Sequence, residues 1–267
     1  MIIDGRNIAA DIRADIAQRV AALGDVPHLT IFSCDPNFET KKYLGLKERV
    51  ADEVGIKTTV RVLPRETSTE TLLKEIQDAE DTDGIIMQLP LPSHIDTDAI
   101  IAAIPPHYDV DALNPQTTAV LSPVAGACKE ILERYDVPVH GAAAVVVGSG
   151  RLVGVPTADM LRNMGASVTV LTKDSDTTPL GDADIIVSGA GDPGFITPSM
   201  IKDGVVLLDA GTSEDGGMLV GDAHPSCAEK ATVFTPVPGG IGPITVAVLL
   251  RNLVVLTERC RAESAVV

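Results

Sequence analysis

Apolar positions along the chain follow two alternating rhythms. Short β-branched runs at Leu29–Ser33, Thr58–Leu63 and Gly84–Met87 are separated by segments whose apolar residues recur every three or four positions, namely Arg6–Leu23, Thr40–Val54, Thr69–Asp78 and a short Thr97–Ala103. The runs suit strands and the spaced segments suit helices with one buried face. Their alternation predicts βα units on a parallel sheet. After an irregular stretch through Pro115 and a connecting helix at Val124–Tyr135, the pattern restarts at Ala143–Val147, a continuous apolar strand. Further strands follow at Ser167–Leu171, Ile185–Ser188 and Val205–Asp209, with a short one at Val233–Phe234. The restart predicts an α/β protein of two domains. The last helix, Ile244–Glu258, is apolar nearly all round, which predicts burial.

Composition narrows the classes of function. The chain has 267 residues and 45% hydrophobic content, enough for two modest cores. Its four cysteines (Cys34, Cys128, Cys227, Cys260) are far apart and lack C-x-x-C spacing, so neither a disulfide framework nor a zinc site is expected, and a reducing cytoplasm fits. A formal net charge of −16 argues against nucleic acid and anionic membrane surfaces. The start, Met1–Arg6, lacks a signal-peptide pattern, and no apolar run is expected to reach membrane-spanning length. An anionic ligand must therefore rely on local cations, of which Lys41, Lys42, Lys47 and Arg49 are the densest group in the first half.

Several short segments carry candidate chemistry. Thr235–Thr245 packs three prolines and three glycines ahead of the last apolar segment, with Pro243 placed for the first turn of a helix. Such a loop is rigid and aims unpaired N–H groups at whatever it holds. The strand Ala143–Val147 runs into Gly148-Ser149-Gly150-Arg151-Leu152-Val153-Gly154, a strand, glycine turn and helix that can present N–H groups to a pyrophosphate. Its G-x-G-x-x-x-G spacing is one residue longer than the common dinucleotide fingerprint. At the end of the next strand stands Thr172-Lys173-Asp174, where Asp174 can serve the ribose of NAD and Lys173 can pair with a 2′-phosphate. Tyr43 and Lys47 are four apart on one predicted helical face. That pair also marks short-chain dehydrogenases, but there it follows the nucleotide strand, whereas here it precedes it. Gln88 ends a buried-looking strand, the position where open α/β sheets hold ligands. Asp111, in the loop Asp109-Val110-Asp111, can accept two parallel hydrogen bonds from an amidine-like edge.

In this order, Tyr43-x-x-x-Lys47, Gln88-Leu89-Pro90-Leu91-Pro92, Asp109-Val110-Asp111, the turn from Gly148 to Pro156 and Pro236–Thr245 resemble the bifunctional methylenetetrahydrofolate dehydrogenase/cyclohydrolase family. The resemblance spans nearly the whole chain. It implies a homodimer of two-domain subunits: a catalytic folate-binding domain over residues 1–120, completed by a C-terminal helix within 244–267, and a Rossmann-like domain over 121–243 that binds NADP or NAD. The implied reactions oxidise 5,10-methylenetetrahydrofolate to the methenyl form and hydrolyse that to 10-formyltetrahydrofolate, a one-carbon donor for purine biosynthesis, with no metal. By residue match, Lys47 handles protons in the hydrolysis, Tyr43 orients the folate, Gln88 holds Lys47 and Asp111 anchors the pterin edge. Pro238, Gly239, Gly240, Gly242 and Pro243 would line the substrate. Gly148, Ser149, Gly150, Arg151, Val153, Gly154, Thr172 and Lys173 would hold the cofactor. Burial and the neighbouring cations are expected to lower the pKa of Lys47. Two other readings are a monofunctional dehydrogenase and a non-catalytic folate- or nucleotide-binding module.

The chain also departs from that family. Asp35–Tyr43 is two residues longer than the usual segment, Ala112 replaces a glycine after the aspartate, and Ser122-Pro123 stands for Pro-Cys-Thr-Pro. At the nucleotide turn Gly148-Ser149-Gly150 replaces Gly-Arg-Ser, so the resemblance favours NADP over NAD only narrowly.

Overall fold

A computed structural model describes residues 1–79 and 81–264. The chain divides into two compact units, one of Met1–Ala10 with Pro123–Val248, the other of Asp11–Ser122 with Leu249–Val267. Of the expected C-terminal segment, residues 265–267 lie outside those described.

The unit of Asp11–Ser122 is built on a three-stranded parallel sheet. Its strands are β1 (His28–Cys34), β2 (Lys57–Leu63) and β3 (Gly84–Gln88), in the order β2-β1-β3. The connecting helices are α2 (Phe38–Glu53) and α3 (Thr69–Gln77), and α4 (Thr97–Ala103) follows β3; α1 (Gly5–Ala22) precedes β1. Local chemistry sets the helix starts: the side chain of Asn37 accepts from Thr40 N ahead of α2, and that of Asp96 accepts from Asp98 N and Ala99 N ahead of α4. Phe32, Ile85 and Met87 from the sheet pack with Leu72, Ile76, Ile100 and Ile104 from α3 and α4 and the turn beyond. β1 and β3 are buried along almost their whole length because both sheet faces are covered, which is why β3 reads as a continuous apolar run at Ile85–Met87, while β1 buries Thr30 and Ser33 among its apolar residues.

The other unit carries a five-stranded parallel sheet. Its strands are β4 (Ala143–Val147), β5 (Ser167–Leu171), β6 (Ile185–Ser188), β7 (Val206–Asp209) and β10 (Val233–Phe234), in the order β10-β7-β6-β4-β5. The chain leaves β4 for β5 on one side and returns to β6 on the other, so β4 borders a topological switch point, where such sheets bind ligands at the carboxyl ends of their strands. α5 (Pro123–Arg134) precedes β4, and α6 (Gly154–Asn163) links β4 to β5. The N-terminus belongs to this unit, with Ile3 N donating to Phe234 O at 2.8 Å. An antiparallel hairpin of β8 (Ser213–Asp215) and β9 (Met218–Val220), which is not among the expected strands, lies between β7 and β10 along the chain.

The last helix, α7 (Ile241–Ser264), begins three residues earlier and ends later than the expected Ile244–Glu258. It also corrects the expectation about membrane-spanning length. Ile241–Glu263 is long and apolar enough to cross a membrane, with a mean hydropathy of 1.5, because polar Arg251 and Asn252 interrupt the run without lowering its average enough. Sixty-seven per cent of that window is buried inside the protein (67%), the mark of a core helix.

Candidate active site

The lysine of the Tyr-x-x-x-Lys pair lies inside the fold. Lys47, on the third turn of α2, is 5% exposed, and its Nζ donates to Gln88 Oε1 at 3.0 Å. Gln88 closes β3, and its Nε2 donates to Leu89 O at 2.9 Å, which turns the amide so that its oxygen faces the lysine. One helical turn back, the ring of Tyr43 brings its centroid within 5.0 Å of Lys47 Nζ. Tyr43 keeps 37% of its surface exposed, but its phenol is shielded: burial first, then the charge of Asp111, pushes its pKa up to about 12.

Asp111 completes the group. Burial pushes its pKa up to about 6, opposed by the charge of Lys47 and reinforced by that of Asp109. Lys47 is lowered from the ordinary lysine value by burial, with Asp111 opposing. Both groups therefore shift toward their neutral forms, as desolvation requires. The expected help from neighbouring cations is corrected here: Lys41, Lys42 and Arg49 are exposed on other faces of α2, and the charge that acts on Lys47 is an anion.

The loop bearing Asp111 is fastened by residues whose supporting role has no local signature in the sequence. Ile85 N donates to Tyr108 O at 2.6 Å, joining the loop to β3. Asp109, fully buried, accepts from Asn114 N at 2.7 Å and from Thr117 Oγ1 at 2.8 Å. Asn252 of α7 donates to Val110 O at 2.9 Å and to Leu121 O at 2.8 Å. Ala112, where a glycine was expected, holds the left-handed conformation at φ 50.

The glycine turn lies in the other unit, after β4. Gly148 has φ 99, and a Cβ on it would stand 2.7 Å from Gly189 O; a Cβ on Gly154 would stand 2.1 Å from Gly148 O. Only glycine lets these backbones close up, leaving a cradle open to a ligand. α6 starts at Gly154 with no side-chain cap on its N–H groups, the arrangement that receives a phosphate. Ser149, Gly150 and Arg151 are exposed around it, Val153 is half-buried, and Thr172 and Lys173 are exposed just past β5, with Thr172 N donating to Ser175 Oγ at 2.9 Å. These residues fit a dinucleotide. The loop Thr235–Thr245 belongs to the same unit: Gly239 has φ 104, its carbonyl accepts from Gly5 N at 2.9 Å, and Gly240 N donates to Pro236 O at 2.8 Å. Pro238 lies in the turn before α7, and Gly242 and Pro243 fall in that helix's first turn. Among the described residues no group of His, Cys, Asp or Glu is arranged to hold a metal ion.

One unit with a Rossmann-like sheet and a phosphate cradle, and a second α/β unit with a buried lysine at its strand ends, together define a two-domain nicotinamide-dependent enzyme architecture. Residues 3–111 match the catalytic domain of tetrahydrofolate dehydrogenase/cyclohydrolase, and residues 122–261 match its NAD(P)-binding domain. The chain belongs to the tetrahydrofolate dehydrogenase/cyclohydrolase family. It is 39% identical to the bifunctional protein FolD of Halothermothrix orenii, over 95% of this chain and 96% of the relative. Among solved structures it resembles the bifunctional FolD of Campylobacter jejuni, with TM-score 0.94, 30% identity and coverage of 97% and 99%. It also resembles the Trypanosoma brucei FolD complexed with NADP cofactor and inhibitor, with TM-score 0.92, 33% identity and coverage of 98% of each chain.

Proposed function

We propose that this chain oxidises 5,10-methylenetetrahydrofolate to 5,10-methenyltetrahydrofolate with a nicotinamide cofactor and hydrolyses the product to 10-formyltetrahydrofolate. The observation that carries this reading is the buried Lys47 Nζ held 3.0 Å from Gln88 Oε1, beside Tyr43 and under the charge of Asp111.

The cradle of Gly148, Ser149, Gly150, Arg151, Val153 and Gly154, with Thr172 and Lys173, would hold the nicotinamide cofactor, which when bound would supply the hydride acceptor. Hydride leaves a carbon flanked by two nitrogens whose lone pairs stabilise the cation, so this step needs alignment more than an acid or base. Asp111, ionised above about pH 6, would accept the parallel N–H groups of the pterin edge, and the Tyr43 ring would pack on the folate. Pro238, Gly239, Gly240, Gly242 and Pro243 would wall the substrate with backbone groups. Hydrolysis adds water to the methenyl carbon. In its neutral form, which burial favours, Lys47 would take a proton from that water; as ammonium it would return a proton to N5 as the carbon–N5 bond breaks. The remaining hydroxyl proton leaves to solvent, so the formyl product forms with release of one proton. Gln88 Oε1 would keep the amine aimed through both transfers.

NADP is the favoured cofactor, supported by exposed Lys173 just past β5 and by Arg151 near the turn, with NAD the alternative because Ser149 stands where the family has arginine. Residues 1–120 with the C-terminal helix would bind folate and 121–243 the nucleotide, and two copies would form the working dimer in the cytoplasm. An absorbance assay with methylenetetrahydrofolate and each cofactor tests the reading. Methenyl absorbance that forms and then decays supports it; no turnover with either cofactor overturns it, and formation without enzyme-dependent decay would indicate a monofunctional dehydrogenase.

A further inference from the structure

Two acids outside the lysine site are buried at the rim of the nucleotide sheet, and neither is accounted for by the chemistry above. Asp209 ends β7 and is 2% exposed; Asp222 follows β9 and is completely buried. Burial pushes Asp209 up to about 6, so holding a carboxylate there works against folding unless its bonds compensate.

Those bonds go to loop backbones. Asp222 Oδ2 accepts from Ser188 Oγ at 2.6 Å and from Ala190 N at 2.7 Å, and its Oδ1 accepts from Asp192 N at 2.8 Å. Asp209 Oδ1 accepts from Gly211 N at 2.9 Å and Asp222 N at 3.2 Å, and its Oδ2 accepts from Ala223 N at 2.8 Å. Asp209 N donates to Thr235 Oγ1 at 2.6 Å, which ties the pair to the start of the Pro/Gly loop. The fit leaves no slack: a Cβ on Gly211 would stand 2.3 Å from the Asp222 carboxyl, and one on Gly221 would stand 2.1 Å from Asp209 Oδ2.

The loop that Asp222 fastens is the one packed on the phosphate cradle. Gly189 lies between two of its anchor points, and its carbonyl is the atom a Cβ on Gly148 would meet at 2.7 Å. On its other side a Cβ on Gly189 would come within 2.4 Å of Val153 Cγ1, just ahead of α6. Displacing residues 188–192 would therefore displace the wall against which the glycine turn is seated.

We infer that Asp209 and Asp222 are positioning residues that set dinucleotide affinity: they act through backbone N–H groups to hold the strand-end loops of β6 and β7 against the cradle. The inference rests on the assignment of this unit to NAD(P) binding. Each carboxylate is needed as an acceptor on both oxygens. An amide in its place turns one acceptor into an N–H facing another N–H, so Asp222→Asn keeps the shape and breaks the hold.

The test uses the full-length enzyme and compares wild type, Asp222→Asn and Ser188→Ala. NADPH binding is followed by nicotinamide fluorescence, and steady-state constants are measured for NADP and for methenyl hydrolysis. The pair predicts that Asp222→Asn raises the dissociation constant for NADPH and the KM for NADP at least roughly tenfold, while kcat for methenyl hydrolysis stays within about twofold of wild type. Ser188→Ala, which removes one hydroxyl donor, should raise the same constants roughly threefold and keeps the idea testable if Asp222→Asn does not fold. Unchanged cofactor constants in a folded Asp222→Asn or in Ser188→Ala would overturn the inference, as would a proportional fall of both activities. Wild type that binds neither NADPH nor NADH would instead overturn the nucleotide reading itself, and wild type that binds NADH alone moves the same comparison to NADH and NAD.

Discussion

The Nζ of Lys47 lies 3.0 Å from the Oε1 of Gln88, and Gln88 is oriented in turn by its own Nε2 donating to Leu89 O at 2.9 Å. An acceptor oxygen fixed on a buried amine does two things: it aims the lone pair or proton, and it favours the charged form against burial. Gln88→Met keeps the volume and removes the acceptor. The acid limb of the methenyl hydrolysis profile should then move to lower pH, because Lys47 loses an interaction that favours its ammonium form. The plateau rate should fall roughly tenfold from lost aim. A pH–rate profile of kcat checks this; a superimposable profile would remove Gln88 from the mechanism.

Asp111 predicts how folate affinity depends on pH. Its pKa is pushed up to about 6, so the carboxylate is ionised above that value and takes up a proton below it. The protonated acid offers a poorer pair of acceptors to the pterin edge. KM for methylenetetrahydrofolate should therefore rise as the pH falls between about 7 and 5, with a smaller change in kcat. Asp111→Asn should raise KM roughly 10- to 100-fold at neutral pH, the worth of hydrogen bonds to a charged group, and should flatten the pH dependence. A variant with wild-type KM at neutral pH would contradict the anchor.

Ala112 predicts a gain in stability. It sits at φ 50 immediately after Asp111, a conformation that crowds its Cβ. Ala112→Gly should stabilise the protein by about 1 kcal/mol, read as a higher urea midpoint with an unchanged slope. A lower midpoint would mean that the loop tolerates alanine without strain.

Ser149 predicts the direction of cofactor choice. It is exposed between two glycines of the cradle, where the family resemblance expects arginine. Ser149→Arg should favour NADP over NAD by roughly tenfold in kcat/KM, the effect of one charge-assisted contact to a phosphate. Paired steady-state assays decide it, and an unchanged ratio would place the 2′-phosphate elsewhere.

Most of the strands were legible because they are buried on both faces, as the continuous apolar stretches of β3, β4 and β6 show. The β8–β9 hairpin was not: Met218 and Leu219 are exposed at 68% and 47%, so no alternation of burial marks it. The start of α7 differs from its expected place because Pro243 marks a helix's first turn in sequence, whereas Ile241 and Gly242 precede it in the helix.

At the lysine site, helical spacing pairs Tyr43 with Lys47, whereas Gln88 at its strand end and Asp111 in its loop are joined to that pair only through the family resemblance. Their supports are not legible in the sequence. Asn252 reaches Val110 across 142 residues of sequence, and Asp222 reaches Ser188 across 34. Neither contact leaves a local pattern. An aspartate that ends a strand or sits in a turn reads as ordinary punctuation until the fold shows which N–H groups it holds.

The central claim is that a buried lysine moves the protons of the hydrolysis, and Lys47→Met tests it most directly. Loss of methenyltetrahydrofolate absorbance should be followed on a variant shown by its circular dichroism to be folded. The hydrolysis rate is predicted to fall at least roughly 100-fold, within the range for a lost general acid–base group. Hydrolysis at the wild-type rate by folded Lys47→Met would contradict the account.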